Sequence, residues 1–204
     1  MNIDNKLDSK RVAKNTLFLY FRMIFIMVIS LYTSRVVLEA LGVEDFGIYN
    51  VVGGVVAMFS VISGSLSAAI SRFLTYELGR NDQSKLKVIF STSVNIQIAL
   101  SAIIFILAET AGLWFLNVKM NISPDRIEAA NWVFQCSIIT FVINLISVPY
   151  NASIISHEKM SAFAYVSVLE VVLKLIVVYL LWASPIDKLK AYALLLMLVA
   201  LIIR

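Results

Sequence analysis

The 204-residue sequence is 60% hydrophobic and only 15% charged, with a mean hydropathy of +0.89, where a water-soluble chain carries about 45–50% apolar and about 25% charged residues. That balance excludes both a soluble domain and a disordered chain and leaves a polytopic membrane protein. One cysteine, Cys136, and one histidine, His157, exclude a disulfide scaffold and any multi-thiolate or His-cluster metal site. The net charge of +4 needs no nucleic acid partner, because a basic cytoplasmic face drawn to anionic lipid accounts for it.

A helix rises about 1.5 Å per residue, so a hydrocarbon core of about 30 Å takes about 20 apolar residues. Residues 1–14 form a basic N-terminus with Lys6, Lys10, Arg11 and Lys14. The apolar run that follows is too long for a signal peptide, holds an arginine and lacks a small-x-small cleavage site, so it reads as a retained first span. Six spans are expected, at about 15–41, 46–74, 88–116, 127–155, 160–182 and 189–204, the last still apolar at Arg204 and so expected to be cut short. All are helices, since an open sheet edge cannot be satisfied in lipid and no barrel-like alternation is present.

In lipid, polar side chains are confined to packing seams or water-filled cavities. Arg22 lies about a turn and a half inside the first span, on one face with Asn15 and Thr33. It either snorkels to the headgroups or presents its planar fork to an anion such as phosphate. Arg35 and Glu39 pair at i,i+4 at the far end of that span and read, like Glu109 in the third, as interfacial. The second span stacks Gly53, Ser60, Ser63, Gly64, Ser67 and Ser71 within about 100°, which suits a tight helix seam or a smooth path lining. In the third span Ser91 and Asn95 share a face expected to point to a polar interior, with Gln97 off to one side. The fourth places Ser137, Thr140, Asn144, Ser147 and Asn151 within about 80°, with Pro149 favouring a kink. This suits either interhelical hydrogen bonding or a hydrophilic cavity wall. Glu170 and Lys174 sit at i,i+4 near the middle of the fifth span, as a self-neutralising bridge or a cavity site. His157 reads as solvated.

Of the seventeen Lys and Arg, ten fall on the N-terminal side of the membrane, Arg204 among them, five on the other side and two, Arg22 and Lys174, within spans. The bias places the N-terminus in the cytoplasm and Trp114, Trp132 and Trp182 at the outer interface. No phosphate-binding loop, no base for Ser63 or Ser65 and no carboxylate cluster is present, so neither catalytic residues nor cofactors are expected and transport is what remains.

The run Leu41-Gly42-Val43-Glu44-Asp45-Phe46-Gly47-Ile48-Tyr49-Asn50-Val51-Val52 resembles the turn between the first two helices of bacterial polysaccharide flippases, members of the MATE-like multidrug/oligosaccharidyl-lipid/polysaccharide exporter superfamily. Ser71-Arg72-Phe73-Leu74-Thr75-Tyr76-Glu77-Leu78-Gly79-Arg80 resembles the end of that family's second helix. Pro149-Tyr150-Asn151-Ala152 and His157-Glu158-Lys159-Met160-Ser161-Ala162-Phe163-Ala164-Tyr165 resemble its fourth helix, inner loop and fifth-helix start. The resemblance implies twelve to fourteen helices in two bundles of a bacterial plasma-membrane protein. It also implies alternating access of a lipid-diphosphate-linked oligosaccharide to a cationic cavity, for surface polysaccharide assembly. Arg22 and Lys174 fit the cationic role, with Glu170 beside Lys174 and Asn95, Asn144 and Asn151 lining the sugar path. Since one bundle must rock against another, the partner is either a C-terminal lobe or a second copy. The alternatives are an ion-coupled multidrug extruder of the same superfamily and a non-transporting scaffold for other polysaccharide-assembly proteins.

Overall fold

The computed structural model describes the backbone of residues 4–182, 184–185 and 187–204, and the side chains of these residues apart from 4–15, 61 and 62. The expectations for Asn15 and for the basic side chains of segment 1–14 lie outside the described residues. Among those residues every regular element is helical. Helix α1 runs Asp4–Ala57, α2 Ser60–Arg80, α3 Gln83–Leu107, α4 Leu113–Val118, α5 Ile127–Ile146, α6 Val148–Ser156, α7 Met160–Trp182 and α8 Lys188–Ile203.

Four stretches are long and apolar enough to cross a membrane, Thr16–Ala57, Gln83–Val118, Pro124–Ser156 and Met160–Trp182. The first is two arms. Gly42 takes φ 83, ψ 170, a backbone region open in practice to glycine alone, and turns the chain between the first two crossings. Thus α1 carries the first crossing and begins the second, α2 completes the second, and the 16-residue α8 supplies the sixth. The result is an all-α bundle of six membrane helices.

Local chemistry sets the breaks. Asn81 adopts the left-handed conformation (φ 56) that closes α2, its N–H reaching the carbonyls of Glu77 and Leu78, a conformation that asparagine tolerates. Asp82 caps α3 by accepting from the Lys85 N–H at 3.0 Å, which holds its carboxyl below the usual carboxylate range. Asp187 caps α8 in the same way, accepting from the N–H groups of Leu189 and Lys190. Between α3 and α4 a π-helical turn, Ala108–Gly112, widens the helix where Gly112 faces α5. A Cβ there would lie 2.5 Å from Cζ of Phe134.

The buried side chains fall into three clusters. Val36, Val37 and Ala40 of α1 pack with Val177, Val178 and Leu181 of α7 and with Tyr192 of α8. Val52 and Val56, at the end of α1, join Ile104, Phe134 and Leu145 of α3 and α5 and Leu189 of α8. Ile70 and Leu74 of α2 meet Val148 and Ala152 of α6. Helix α8 belongs to the first two, and its run Leu189, Ala191, Tyr192, Ala193 is buried. The long apolar side chains left outward, such as Leu17, Tyr20, Ile106 and Ile202, suit lipid.

At one end the three connections are tied by charge. Arg126 bridges Asp187 at 2.6 Å and Asp45 at 3.3 Å. Ser123 donates to Glu44 at 2.9 Å, Lys188 to the Ala40 carbonyl at 3.2 Å, and Lys190 pairs with Glu128. Trp114, Trp132 and Trp182 are exposed on the helices entering this end. Of the small-residue stripe in the second span, a methyl group placed on Gly53 or on Gly64 would meet no atom within 4 Å, so no neighbouring helix presses on them. That corrects the tight-seam reading at these two positions.

Candidate functional site

Ser167, Glu170, Val171 and Lys174 recur at three- and four-residue spacing, so they form one face of α7. Across from them stand Arg22, Ser30 and Thr33 of α1, and together they line a cavity of about 420 Å³. A second cavity of about 310 Å³ is walled by Ser137, Thr140 and Asn144 of α5 and by Ala193 and Ala200 of α8, whose small side chains leave the space. Thr33, Tyr49, Glu170, Lys174 and Tyr192 face both. The rings of Tyr49 and Tyr192 meet edge to face at 4.9 Å. Each volume falls in the range of small-molecule sites, about 300–1,000 Å³.

The charges are organised around Glu170. One of its oxygens accepts from Lys174 Nζ at 2.7 Å and the other from Arg204 Nη2 at 2.8 Å, while Arg204 Nε donates to Asn144 Oδ1 at 2.8 Å. The side chains of Glu170 and Arg204 are about one-fifth exposed, at 20% and 21%. Arg22 donates from Nη1 to Ser167 Oγ at 3.2 Å and lies 4.6 Å from the centre of the Phe163 ring. Its Nε is buried with no hydrogen-bond partner. Ser167 passes its own hydroxyl proton to the Phe163 carbonyl at 2.8 Å, which leaves its oxygen to accept from Arg22. Among the described residues, three cations thus confront one carboxylate, leaving two positive charges along these cavities. Such an arrangement attracts an anion with several oxygens. No group of three metal-ligating side chains stands among the described residues.

The structure brings Arg22, Asn144, Glu170 and Lys174 together. It does not bring Asn95 or Asn151 to either cavity. Asn95 is exposed on α3 and Asn151 is half-buried on α6. In this bundle the Ser91 and Asn95 face is the outward one. The buried face of α3 is Ser93, Gln97, Ser101 and Ile104, and Gln97 is fully enclosed with both amide atoms unpartnered. The helix rotates this way because Ile104 and Ala108 belong to the apolar core, which fixes the positions three and seven residues before Ile104 on the same face. The recurrence 93-97-101-104-108 is the sequence signal for that face. Arg204 also departs from expectation, since it reaches Glu170 in mid-span instead of an inner interface. The fourth-span stripe divides: Ser137, Thr140 and Asn144 face the second cavity, whereas Ser147 is buried against the Ile143 carbonyl. Arg35 with Glu39 is an exposed pair at 3.1 Å, and His157 is exposed with Nδ1 against the Ser153 carbonyl.

The sequence pattern of the MatE family matches residues 19–180, a stretch that contains every residue lining the first cavity except Tyr192 of α8. The chain belongs to the MatE family. Members of this family are membrane transporters rather than enzymes, and this MatE chain is a multi-pass membrane protein. It is also similar to a Bacillus subtilis (strain 168) protein described as "Uncharacterized membrane protein EpsK", with 20% identity over 155 residues, 76% of this chain and 30% of that protein. The MatE chain therefore spans about 30% of the length of that curated relative. No solved structure matches it.

Proposed function

We propose that this MatE chain forms one lobe of a flippase. The flippase moves a lipid-diphosphate-linked oligosaccharide from the cytoplasmic to the outer leaflet of a bacterial plasma membrane, for surface polysaccharide assembly. The observation that carries the reading is the excess of cations at the cavities between α1, α5, α7 and α8: among the described residues Arg22 and Lys174 line them, Arg204 reaches Glu170 from α8, and Glu170 is the carboxylate set against all three. Cations in a span cost at least about 2.5–3.5 kcal/mol each, so their gathering around the Glu170 side of these cavities supports a site for an anionic group. The neutral lining from Ser137, Thr140 and Asn144 offers hydrogen bonds of the kind sugar hydroxyls use. The distant likeness to the EpsK protein, described as a membrane protein, supports the membrane setting of this reading. A second six-helix lobe, or a second copy of this bundle, completes the path, and the N-terminus is cytoplasmic, in keeping with a bias of basic residues that is still nine to five once Arg204 is set aside.

The test is transfer of a fluorescent lipid-diphosphate oligosaccharide across proteoliposome membranes. Arg22→Ala or Lys174→Ala removes a charge-assisted hydrogen bond worth about 1.5–3 kcal/mol, so transfer falls about tenfold or more at equal protein levels. Wild-type transfer in both variants overturns the proposal. Efflux of cationic drugs without lipid transfer points instead to a multidrug extruder.

A further inference from the structure

Glu170 is placed unlike an ordinary structural counter-ion. Its two oxygens are divided, one to Lys174 at 2.7 Å on its own helix and one to Arg204 at 2.8 Å on α8, so the carboxylate spans two cations as a phosphate does. It faces both cavities, whereas an ion pair serving only to join helices is enclosed between them. On the same face of α7, three residues before Glu170 and so about 4.5 Å along the axis, Ser167 receives Arg22, whose Nε has no partner.

We infer that the Glu170 carboxylate is an internal stand-in for a substrate phosphate: an incoming diphosphate displaces it from Lys174 and Arg204 while Arg22 takes the second phosphate. This rests on the proposed anion-binding role of the cavity and adds to it an exchange step in which Glu170 competes with the substrate diphosphate. The site selects a diphosphate, because a single phosphate meets either Arg22 or the Lys174–Arg204 pair and must still expel Glu170. Release is the reverse exchange, with Glu170 returning to its two cations and pushing the product out. The carboxylate thereby weakens binding and speeds turnover, opposite effects that a merely structural bridge does not produce.

The experiment uses the full chain in nanodiscs of zwitterionic lipid, with inorganic pyrophosphate and inorganic phosphate as probes in titration calorimetry. Glu170→Gln is expected to bind pyrophosphate about tenfold more tightly than wild type, the factor for removing one charge-assisted competitor, and to transfer lipid-linked substrate more slowly. Glu170→Asp, which keeps the charge on a side chain too short to span both cations, falls between. On the wild-type chain itself, pyrophosphate shifts the carboxylate infrared band of isotope-labelled glutamate, a readout that stands even if the variants fold poorly. Equal pyrophosphate affinity in wild type and Glu170→Gln, weakened in both by Arg22→Ala, overturns the exchange and leaves the anion site intact. Phosphate binding as tight as pyrophosphate overturns the diphosphate class. No binding of either probe by any variant overturns the anion site as well.

Discussion

Gly112 is the one glycine of the seven whose missing Cβ would meet a neighbouring atom within 4 Å. The Phe134 ring it faces is 1% exposed and is packed among Ile104, Ala108 and Leu116, so it has no free volume into which to retreat from a methyl group at 2.5 Å. Gly112→Ala is expected to destabilise the protein by about 1–3 kcal/mol through overpacking, read as a lower melting temperature in detergent micelles. Adding Phe134→Leu restores much of the loss, and an unchanged melting temperature in the single variant contradicts the packing described. Residues of this kind are invisible in the sequence, because a glycine in a span fits a seam, a lining or a bend equally well. The site residues are more legible. Arg22, Glu170 and Lys174 stand out among apolar neighbours because charge in a bilayer is expensive. Ser91 and Asn95 form as regular a polar stripe as Ser93 and Gln97, and it is the second pair that this bundle buries. Periodicity groups residues by face without saying which face the bundle covers.

Among the elements, α1 shows how far one residue directs the chain. Helical backbone lies on both sides of Gly42, so the turn between the first two crossings depends on a single positive φ. Gly42→Ala forces a Cβ into that conformation, at a cost on the order of 1–3 kcal/mol, although no neighbouring atom would touch the methyl. Faster hydrogen exchange of the amides flanking residue 42, with the rest of α1 unaltered, is the expected result, whereas an unaltered exchange pattern contradicts it. The turn is legible in the sequence from Gly42 followed by Glu44-Asp45, but the second crossing reads there as one helix. Its break at Met58-Phe59, where Ser60 Oγ turns back to the Ala57 carbonyl at 2.6 Å, has no sequence mark beyond Gly53-Gly54. The division of the fourth span into α5 and α6 is legible from Pro149, which occupies the first turn of α6, the place where its missing N–H costs nothing. The π-helical turn has no such mark, since it reflects a contact with another helix.

For the molecule as a whole, the ties among the three connections make one end of the bundle a single unit. Arg126 is the hub, and Asp45, which it holds, is 6% exposed. Arg126→Ala leaves that carboxylate without its cation and is expected to cost on the order of 2 kcal/mol, between the values for exposed and fully buried pairs. Protease cleavage at residues 119–126 should rise in membranes, with the rest of the chain still protected. Intact resistance there would mean that the charges do not hold this end together. Fold class and crossing number are legible because hydropathy reports them directly, while the meeting of Arg204 with Glu170 is not, since the bias in basic residues sorts charges by loop and ignores depth. That meeting also has an electrostatic consequence. Glu170 and Lys174 pair at i,i+4 on one helix, so α7 is neutral at this depth by itself, and the surplus charge arrives from a different helix, through Arg204 of α8.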